Sequence, residues 1–502
     1  MAVRSRWPST LRVEMIWGLA IIIGVFAFVN TQPIRPNDFW WQLAVGKEIS
    51  QTHQVPSVDT FSYTAFGRPY PAYAMFWLVE LCYYYLNRAG GLALIIFSHS
   101  LVISLAYLLL LFTCRLLTRH WRISAFATLF AAVLGVSDWN VRAQGVALAT
   151  GSLYLAGIYA YRKGKKKLWL AVFPLGMLVW ANSHGTFVLG FVFLGLWLID
   201  EVRMGLAALK TKKSWQVFKP ALTPALVGGV SMLMVLINPA GLGIINYVMG
   251  MTKNSLIQNF VPEWAPPSFH SLEGTIFWCG FIICVMVVLL TYRHLSFFQW
   301  AMLLIFGGLA IKTSRGIIWF GLTAAPALAQ SVSQAWDKRF TPKNGTLPVQ
   351  KMRLNVAMVA LLSLLGIISL PWFKNDLPYP AIKAGLISSE TPVAATQYLL
   401  THHLPGPVFN DLSFGSYLIW AGQPAYKVFI DPRLDLFPWN VWVDYITISQ
   451  GENGWQERLD RYGVKTLFLS LSEETNLIRL AGQSEFWARV YQDSQAIIFI
   501  KE

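Results

Sequence analysis

Charge is scarce in this chain: only 13% of its 502 residues are Asp, Glu, Lys or Arg, about half the share usual in soluble globular proteins. A soluble chain of this length would divide into several domains, each with a charged surface. There is too little charge to coat them, which excludes a soluble multidomain enzyme. Cysteine is scarcer still. Cys82, Cys114, Cys279 and Cys284 all sit in apolar segments, and none forms a C-x-x-C pair. No disulfide framework can therefore staple the C-terminal region, and these four read as small buried apolar side chains. The usual nucleotide and hydrolase signatures are missing too: G-x-G-x-x-G after a strand, a Walker Gly-Lys-Ser/Thr, H-E-x-x-H and G-x-S-x-G. His402 and His403 are adjacent, so on a helix they diverge and cannot chelate one metal as an i, i+4 pair could.

What is present is apolar: 55% of the residues are hydrophobic and 15% aromatic, which excludes disorder. A helix needs roughly 20 apolar residues to cross a bilayer. Eleven stretches qualify, at about 13–30, 91–114, 123–137, 143–161, 168–183, 186–202, 220–237, 274–292, 297–311, 317–334 and 354–371. The chain is therefore expected to be an α-helical polytopic membrane protein. Its first apolar run follows basic residues as in a signal peptide. No A-x-A-like site follows it, so 13–30 is read as a retained span.

The net charge of +15 then has an explanation. With the N-terminus inside, 22 basic residues and only four acids (Glu14, Asp200, Glu201, Asp337) fall on the cytoplasmic side, a balance of +18. Retention of Lys and Arg on that side is the topology rule for insertion. The tail 372–502 carries 10 basic and 14 acidic residues and is expected outside. A nucleic-acid partner would need a basic face on a folded domain, and the tail is acidic, so none is expected. By this topology the sequon Asn344-Gly345-Thr346 is cytoplasmic and has no meaning there.

From about residue 390 the pattern changes to short alternating elements. Helices are expected at 391–402, 412–421 and 454–462, and strands at 407–409, 427–430, 465–470, 487–491 and 496–500. This alternation argues for a small extracytoplasmic α/β domain. The expected division is 1–371 for the membrane domain, with an outer loop at 31–90, then a linker at 372–389 and the α/β domain at 390–502. Asp431-Pro432-Arg433-Leu434-Asp435 follows a strand and clusters charge. It reads either as an ion-paired turn or as a segment facing the membrane site.

Charged groups near a bilayer are costly, so each needs a reason. The short outer loops collect Asp38, Asp138, Arg142, Asn182, His184, Asn238, Glu263, Lys312 and Arg315. Singly each could be a solvated loop residue. Together the basic residues, acids and histidine could form a lipid-phosphate site. In the first outer loop, Trp41, Val45 and Ile49 have helical spacing, and tryptophan favours the membrane interface, so 38–50 is expected to lie on the outer surface as a helix. A second short helix is expected at 72–87, carrying Trp77 and Glu80. Asp38 at a helix start would also suit the helix dipole.

A span, an Asp soon after it and two interfacial helices in one long outer loop resemble the GT-C superfamily of integral-membrane glycosyltransferases. The resemblance rests on Asn37-Asp38-Phe39-Trp40-Trp41-Gln42-Leu43-Ala44-Val45-Gly46 and Pro56-Ser57-Val58-Asp59-Thr60-Phe61-Ser62-Tyr63, which are similar to a bacterial group of mostly unassigned substrate. Arg142-Ala143-Gln144, Trp180-Ala181-Asn182-Ser183-His184-Gly185, Asn238-Pro239-Ala240-Gly241, Glu263-Trp264, Ser314-Arg315-Gly316 and Phe414-Gly415-Ser416-Tyr417-Leu418 extend it along nearly the whole chain. It implies a bacterial inner-membrane enzyme that moves a sugar from a polyprenyl-phosphate donor to an extracytoplasmic acceptor, with inversion. Asp38 would be the base, and Arg142, His184 and Arg315 would hold the donor phosphate. Asp138, Glu263, Asp59 and Glu80 would orient the acceptor or a divalent ion such as Mg or Mn, with Asp138 alternatively orienting Arg142. Pro36 and Gln42 depart from the group's pattern, which has an acid and a histidine at those places. That departure weighs against a two-carboxylate or carboxylate-histidine mechanism and in favour of the alternative, a catalytically inactive GT-C-fold membrane scaffold or assembly partner. A transporter ranks last, because no internal repeat is present and the polar groups sit at span ends.

Overall fold

The computed structural model describes residues 13–251, 262–339, 352–380 and 383–502. Arg4, Arg6, Arg12, Lys343, Lys351 and the sequon at Asn344 lie outside the described residues. The first part is helical: α1 (Val13–Asn30), α2 (Phe39–Thr52), α3 (Ala72–Leu117), α4 (Trp121–Gly135), α5 (Gln144–Gly164), α6 (Val172–Ala181) and α7 (Val188–Lys212). It continues with α8 (Lys219–Val235), α9 (Gly243–Met251), α10 (Leu272–Thr291), α11 (Phe297–Lys312), α12 (Ile317–Arg339) and α13 (Met352–Ile368).

Six segments among the described residues are helical, long and apolar enough to cross a membrane: Ala72–Leu117, Trp121–Asp138, Gly185–Lys212, Trp215–Val235, Leu272–His294 and Ser314–Lys338. Glu14–Asn30, Lys167–Ala181, Phe297–Lys312 and Arg353–Ile368 are shorter apolar helices. Each of the eleven expected stretches coincides with a helix, the remaining one being α5. The chain is a membrane protein of mainly helical build.

Residues 72–89 and 92–117 are two helices joined end to end. Gly90 and Gly91 leave the helical region between them, and Gly91 has φ +65°, a conformation open to glycine without a Cβ clash. The first of the two is the expected outer-loop helix, and the second is the span. The other outer-loop helix, α2, is also where it was expected, but its tryptophans meet protein. Trp40 and Trp41 are buried. The Trp40 ring meets Tyr417 edge-on at 4.9 Å, and the Trp41 backbone N–H donates to Ser416 Oγ at 3.1 Å. On its other face α2 packs against α3 at Gly46, where a Cβ would fall inside the Glu80 carbonyl.

At the end of the helices expected to face the cytoplasm, Arg162 of α5 pairs with Asp200 and, at 3.2 Å, with Glu201 of α7. Arg203 also pairs with Asp200 at 2.9 Å, so two of the four acids assigned to the basic side are met by two guanidinium groups.

The C-terminal part contains α14 (Val393–Thr401), β1 (Val408–Asn410), α15 (Leu412–Gly422), α16 (Trp439–Ser449), α17 (Trp455–Arg461), β2 (Thr466–Ser470), α18 (Thr475–Gln483), β3 (Trp487–Gln492) and β4 (Ala496–Lys501). Its sheet has the order β1-β2-β4-β3. β1 and β2 are parallel, and the other pairs are antiparallel. Helices α16 and α18 go beyond the expected elements. The expected strand 427–430 is no member of the sheet. Val428 instead bridges to Ser62 of the outer loop, with mutual bonds Tyr63 N–H to Val428 O and Val428 N–H to Phe61 O, both 3.1 Å. The run is apolar because it is buried between two parts of the chain, so its sequence pattern alone could not name its partner. Ile34 likewise bridges to Ile387. The outer loop and the C-terminal domain therefore share one buried core.

Candidate functional site

Five inter-helix positions converge on one cleft. Asp38 precedes α2, Arg142 lies between α4 and α5, and His184 lies between α6 and α7. Arg315 sits in the turn Ser314–Gly316, and Glu263 in the turn Pro262–Trp264. Asp38, Arg142, His184 and Arg315 line the cleft together with Trp41, Gln42, Tyr70, Trp264 and residues 432–435 of the C-terminal domain.

Local backbone fixes the two turns. Gly316 approaches Leu309 and Ala310 so closely that a Cβ would clash with their backbone. Ser314 then ties its turn to the other one through its N–H to Ala265 O at 2.9 Å. This places Arg315 beside Glu263 and over the ring of Trp264, 5.3 Å from its centroid.

The charges form a chain. Arg142 Nε is 3.9 Å from Asp38 Oδ2, Arg142 Nη1 is 2.6 Å from Glu263 Oε1, and Arg315 Nε is 2.9 Å from Glu263 Oε2. Burial alone would raise the Glu263 pKa, but Arg142 and Arg315 outweigh it and hold the carboxylate down at about 2. Burial lowers the Arg142 pKa, and Glu263 and Asp38 overcome that, so it is raised. Asp38 Oδ1 also accepts a bond from Trp41 Nε1–H at 3.3 Å.

His184 is held differently. The Thr186 backbone N–H donates to His184 Nδ1 at 3.2 Å, so Nδ1 is an acceptor and the hydrogen-bond network assigns the ring proton to Nε2. Trp180 Nε1–H donates to Thr186 Oγ1, which sits 2.9 Å from Nδ1. Burial, followed by Arg315 and Arg142, lowers the His184 pKa to about 3. The ring is a neutral donor at physiological pH.

Phe76, Gln144, His184, Met251, Trp264 and Arg315 line this cleft and also an adjoining groove. The groove continues along Met75, Leu189, Val248, Leu309 and Trp319 and is mostly apolar. Polar chamber and apolar groove are continuous.

The remaining expected site residues lie elsewhere. Asp138 makes no ion pair with Arg142 among the described residues: Glu263 and Asp38 take that place, and Asp138 Oδ2 is buried without a hydrogen bond. Asp59 is buried in the loop, bonded to Ser62 Oγ at 2.6 Å and paired with Arg433 at 2.6 Å. Glu80 is buried between α2 and α3, away from the cleft lining, with neither oxygen hydrogen-bonded. Asn182 and Asn238 are struts: Asn238 Nδ2–H donates to Ala74 O and Ala181 O, and Asn182 Oδ1 accepts from Trp77. Among the described residues no three His, Cys, Asp or Glu side chains gather to hold a metal. Both Glu263 oxygens are taken by arginines, so this set does not fit the expected divalent ion.

Tyr70, Phe76 and Met251 also line the cleft and were not singled out from sequence. Asp435 belongs to the charge cluster 431–435, and only its place after a buried apolar run hinted that it faces a site. Its neighbour Arg433 is fully buried and paired with Asp59 and Asp431, ringed by Trp41, Phe61, Tyr70 and Tyr73.

No family model and no curated protein matches the chain. Solved structures do. The archaeal oligosaccharyltransferase AglB from Archaeoglobus fulgidus, in complex with an inhibitory peptide and a dolichol-phosphate, aligns with a TM-score of 0.56 at 12% identity, over 97% of this chain and 74% of that one. ArnT from Cupriavidus metallidurans, bound to undecaprenyl phosphate, aligns with a TM-score of 0.51 at 13% identity, over 97% of both chains. The arabinofuranosyltransferase AftD from Mycobacteria aligns with a TM-score of 0.54 at 13% identity, over 96% of this chain and 40% of that one. At 12–13% identity these likenesses show the fold: the chain is a membrane protein with the GT-C-like fold that the sequence resemblance implied.

Proposed function

We propose that the protein transfers a sugar from a polyprenyl-phosphate-linked donor to an acceptor on the extracytoplasmic face, with inversion. One observation carries the reading: a polar chamber lined by Arg142, His184 and Arg315 opens into an apolar groove. A phosphate with a long apolar tail needs that pairing of surfaces. The AglB and ArnT structures hold such lipids, which supports the reading.

In the reaction the anomeric carbon–phosphate oxygen bond breaks, and its electron pair leaves on the lipid phosphate. The acceptor hydroxyl attacks the opposite face of the same carbon, and its proton passes to Asp38. A positioned base contributes typically 10²–10⁴-fold. The leaving phosphate gains negative charge beside Arg142 and Arg315, where charge-assisted hydrogen bonds strengthen. Neutral His184 donates Nε2–H without releasing a proton. Glu263 holds both guanidinium groups in place before the substrate arrives, so little reorganisation is needed.

The test uses purified protein in lipid nanodiscs with labelled polyprenyl-phosphate sugars and extracted envelope glycans as acceptors. Asp38→Asn should lower transfer at least a hundredfold while undecaprenyl phosphate still binds. Unchanged transfer by a well-expressed Asp38→Asn protein would sink the base assignment. Absence of transfer by the wild type, with lipid phosphate still bound, would favour a scaffold that kept the fold and lost the chemistry.

A further inference from the structure

Asp435 reaches the cleft from the C-terminal domain, whereas Asp38 reaches it from the membrane part. Its two oxygens are each met by a tyrosine. Tyr70 OH from the outer loop donates to Oδ1 at 3.3 Å, and Tyr247 OH from α9 donates to Oδ2. Three separate parts of the chain thus aim one half-buried carboxylate. Its neighbour Arg433 is committed to Asp59 and Asp431, so no cation is paired with Asp435 among the described residues. An arginine-paired carboxylate such as Glu263 is a clamp. A carboxylate held by neutral donors, here two tyrosine hydroxyls and a backbone N–H, keeps lone pairs for other hydroxyl donors. Burial raises the Asp435 pKa, and the Tyr247 bond opposes the rise. Phe76 and Trp264, both half-buried, supply aromatic surface in the same cleft, with the buried rings of Trp41 and Tyr70 packed behind it.

We infer that Asp435, with Tyr70 and Tyr247, forms an acceptor subsite for a carbohydrate, in which the carboxylate accepts hydrogen bonds from sugar hydroxyls and the aromatic rings cover the apolar face of the sugar. The inference rests on the transferase reading and gives it a substrate class: the acceptor is a glycan. It also assigns the C-terminal domain a part in the site, since that domain contributes the carboxylate. Asp435 is a positioning residue, and the hydroxyl that reacts still gives its proton to Asp38. Asp435 is a second carboxylate in the same cleft, delivered from a different part of the sequence.

The experiment titrates nanodisc-embedded protein with a panel of methyl glycosides (hexosides, pentosides and amino sugars) and with an acetylated peptide amide. Tryptophan fluorescence is the readout, since Trp41 and Trp264 line the cleft. At least one glycoside should bind the wild type. Asp435→Asn should weaken it ten- to a hundredfold, as expected for hydrogen bonds to a charged group. Tyr70→Phe and Tyr247→Phe keep the carboxylate and remove one aiming hydroxyl each, so they should weaken binding a few-fold at an unchanged melting temperature. They carry the test if Asp435→Asn does not fold. Failure of every glycoside to bind the wild type, binding of the peptide alone, or equal binding by the wild type and all three variants would overturn the inference. Undecaprenyl phosphate is titrated separately into the wild type. Its failure to bind would instead count against the lipid-phosphate reading, whatever the glycosides do.

Discussion

Arg433 and Asp59 meet at 2.6 Å with both side chains wholly buried, one from the C-terminal domain and the other from the first outer loop. Asp431 shares the guanidinium at 2.6 Å, and Tyr73 OH accepts from it as well. Breaking a buried pair from one side leaves an uncompensated charge. Arg433→Ala leaves two carboxylates stranded and should cost about 3–5 kcal/mol. Chemical denaturation of the purified protein measures it. A loss below about 1 kcal/mol would show that the latch contributes little.

Glu263 makes a pH-dependent contribution. Its folded pKa of about 2 lies below the ordinary 4.5, so its stabilisation is complete above about pH 4.5 and is lost as pH falls towards 2. The carboxylate is a third exposed, so screening reduces the contribution to about 1–2 kcal/mol. Between pH 5 and 3 the melting temperature of wild type should fall more steeply than that of Glu263→Gln. Parallel curves would contradict the assignment.

His184 should be silent near neutrality. With a folded pKa of about 3 against the ordinary 6.5, it stays neutral from pH 5 to 8. The stability tied to it is complete above 6.5 and declines as pH falls from there towards 3. Undecaprenyl phosphate binding by wild type and His184→Gln should therefore have the same pH profile between 5 and 8. His184→Ala removes the donor and should weaken binding about tenfold. A titration step in the wild type that His184→Gln lacks would mean that the ring works as a cation.

Gly46 sets the spacing of α2 and α3. A Cβ there would overlap the Glu80 carbonyl, and backbone cannot yield as a side-chain tip can. Gly46→Ala should destabilise by about 1–3 kcal/mol or more and shift Asp38 relative to Arg142. The expected result is a lower melting temperature and weaker transfer together. A normal melting temperature would show that the two helices separate at little cost.

Much of the site was legible because charge near a bilayer is expensive. Asp38, Arg142, His184 and Arg315 stood out as polar residues confined to the short outer loops of an apolar chain, and all four line one cleft. Their partners were not legible. Arg142 takes Glu263 and Asp38 rather than the neighbouring Asp138, because the Glu263 turn, 121 residues downstream, is pinned to the Arg315 turn by Ser314 and Ala265. Asp59 looked like a site acid and is a latch acid, since burial opposite Arg433 follows from domain docking rather than from its own sequence neighbours.

Long hydrophobic runs, scarce charge and the switch to short alternating elements after about residue 390 determined by themselves that this chain is a helical membrane protein with a small α/β tail. Those signals are local, and the bilayer imposes them residue by residue. Only the tertiary structure decided that Trp40 and Trp41 face protein, that Val428 pairs with Ser62, and that Asp435 enters the cleft. Each depends on the C-terminal domain folding back onto a loop more than 350 residues earlier. Periodicity says that a segment is buried, and only the packed chain says against what.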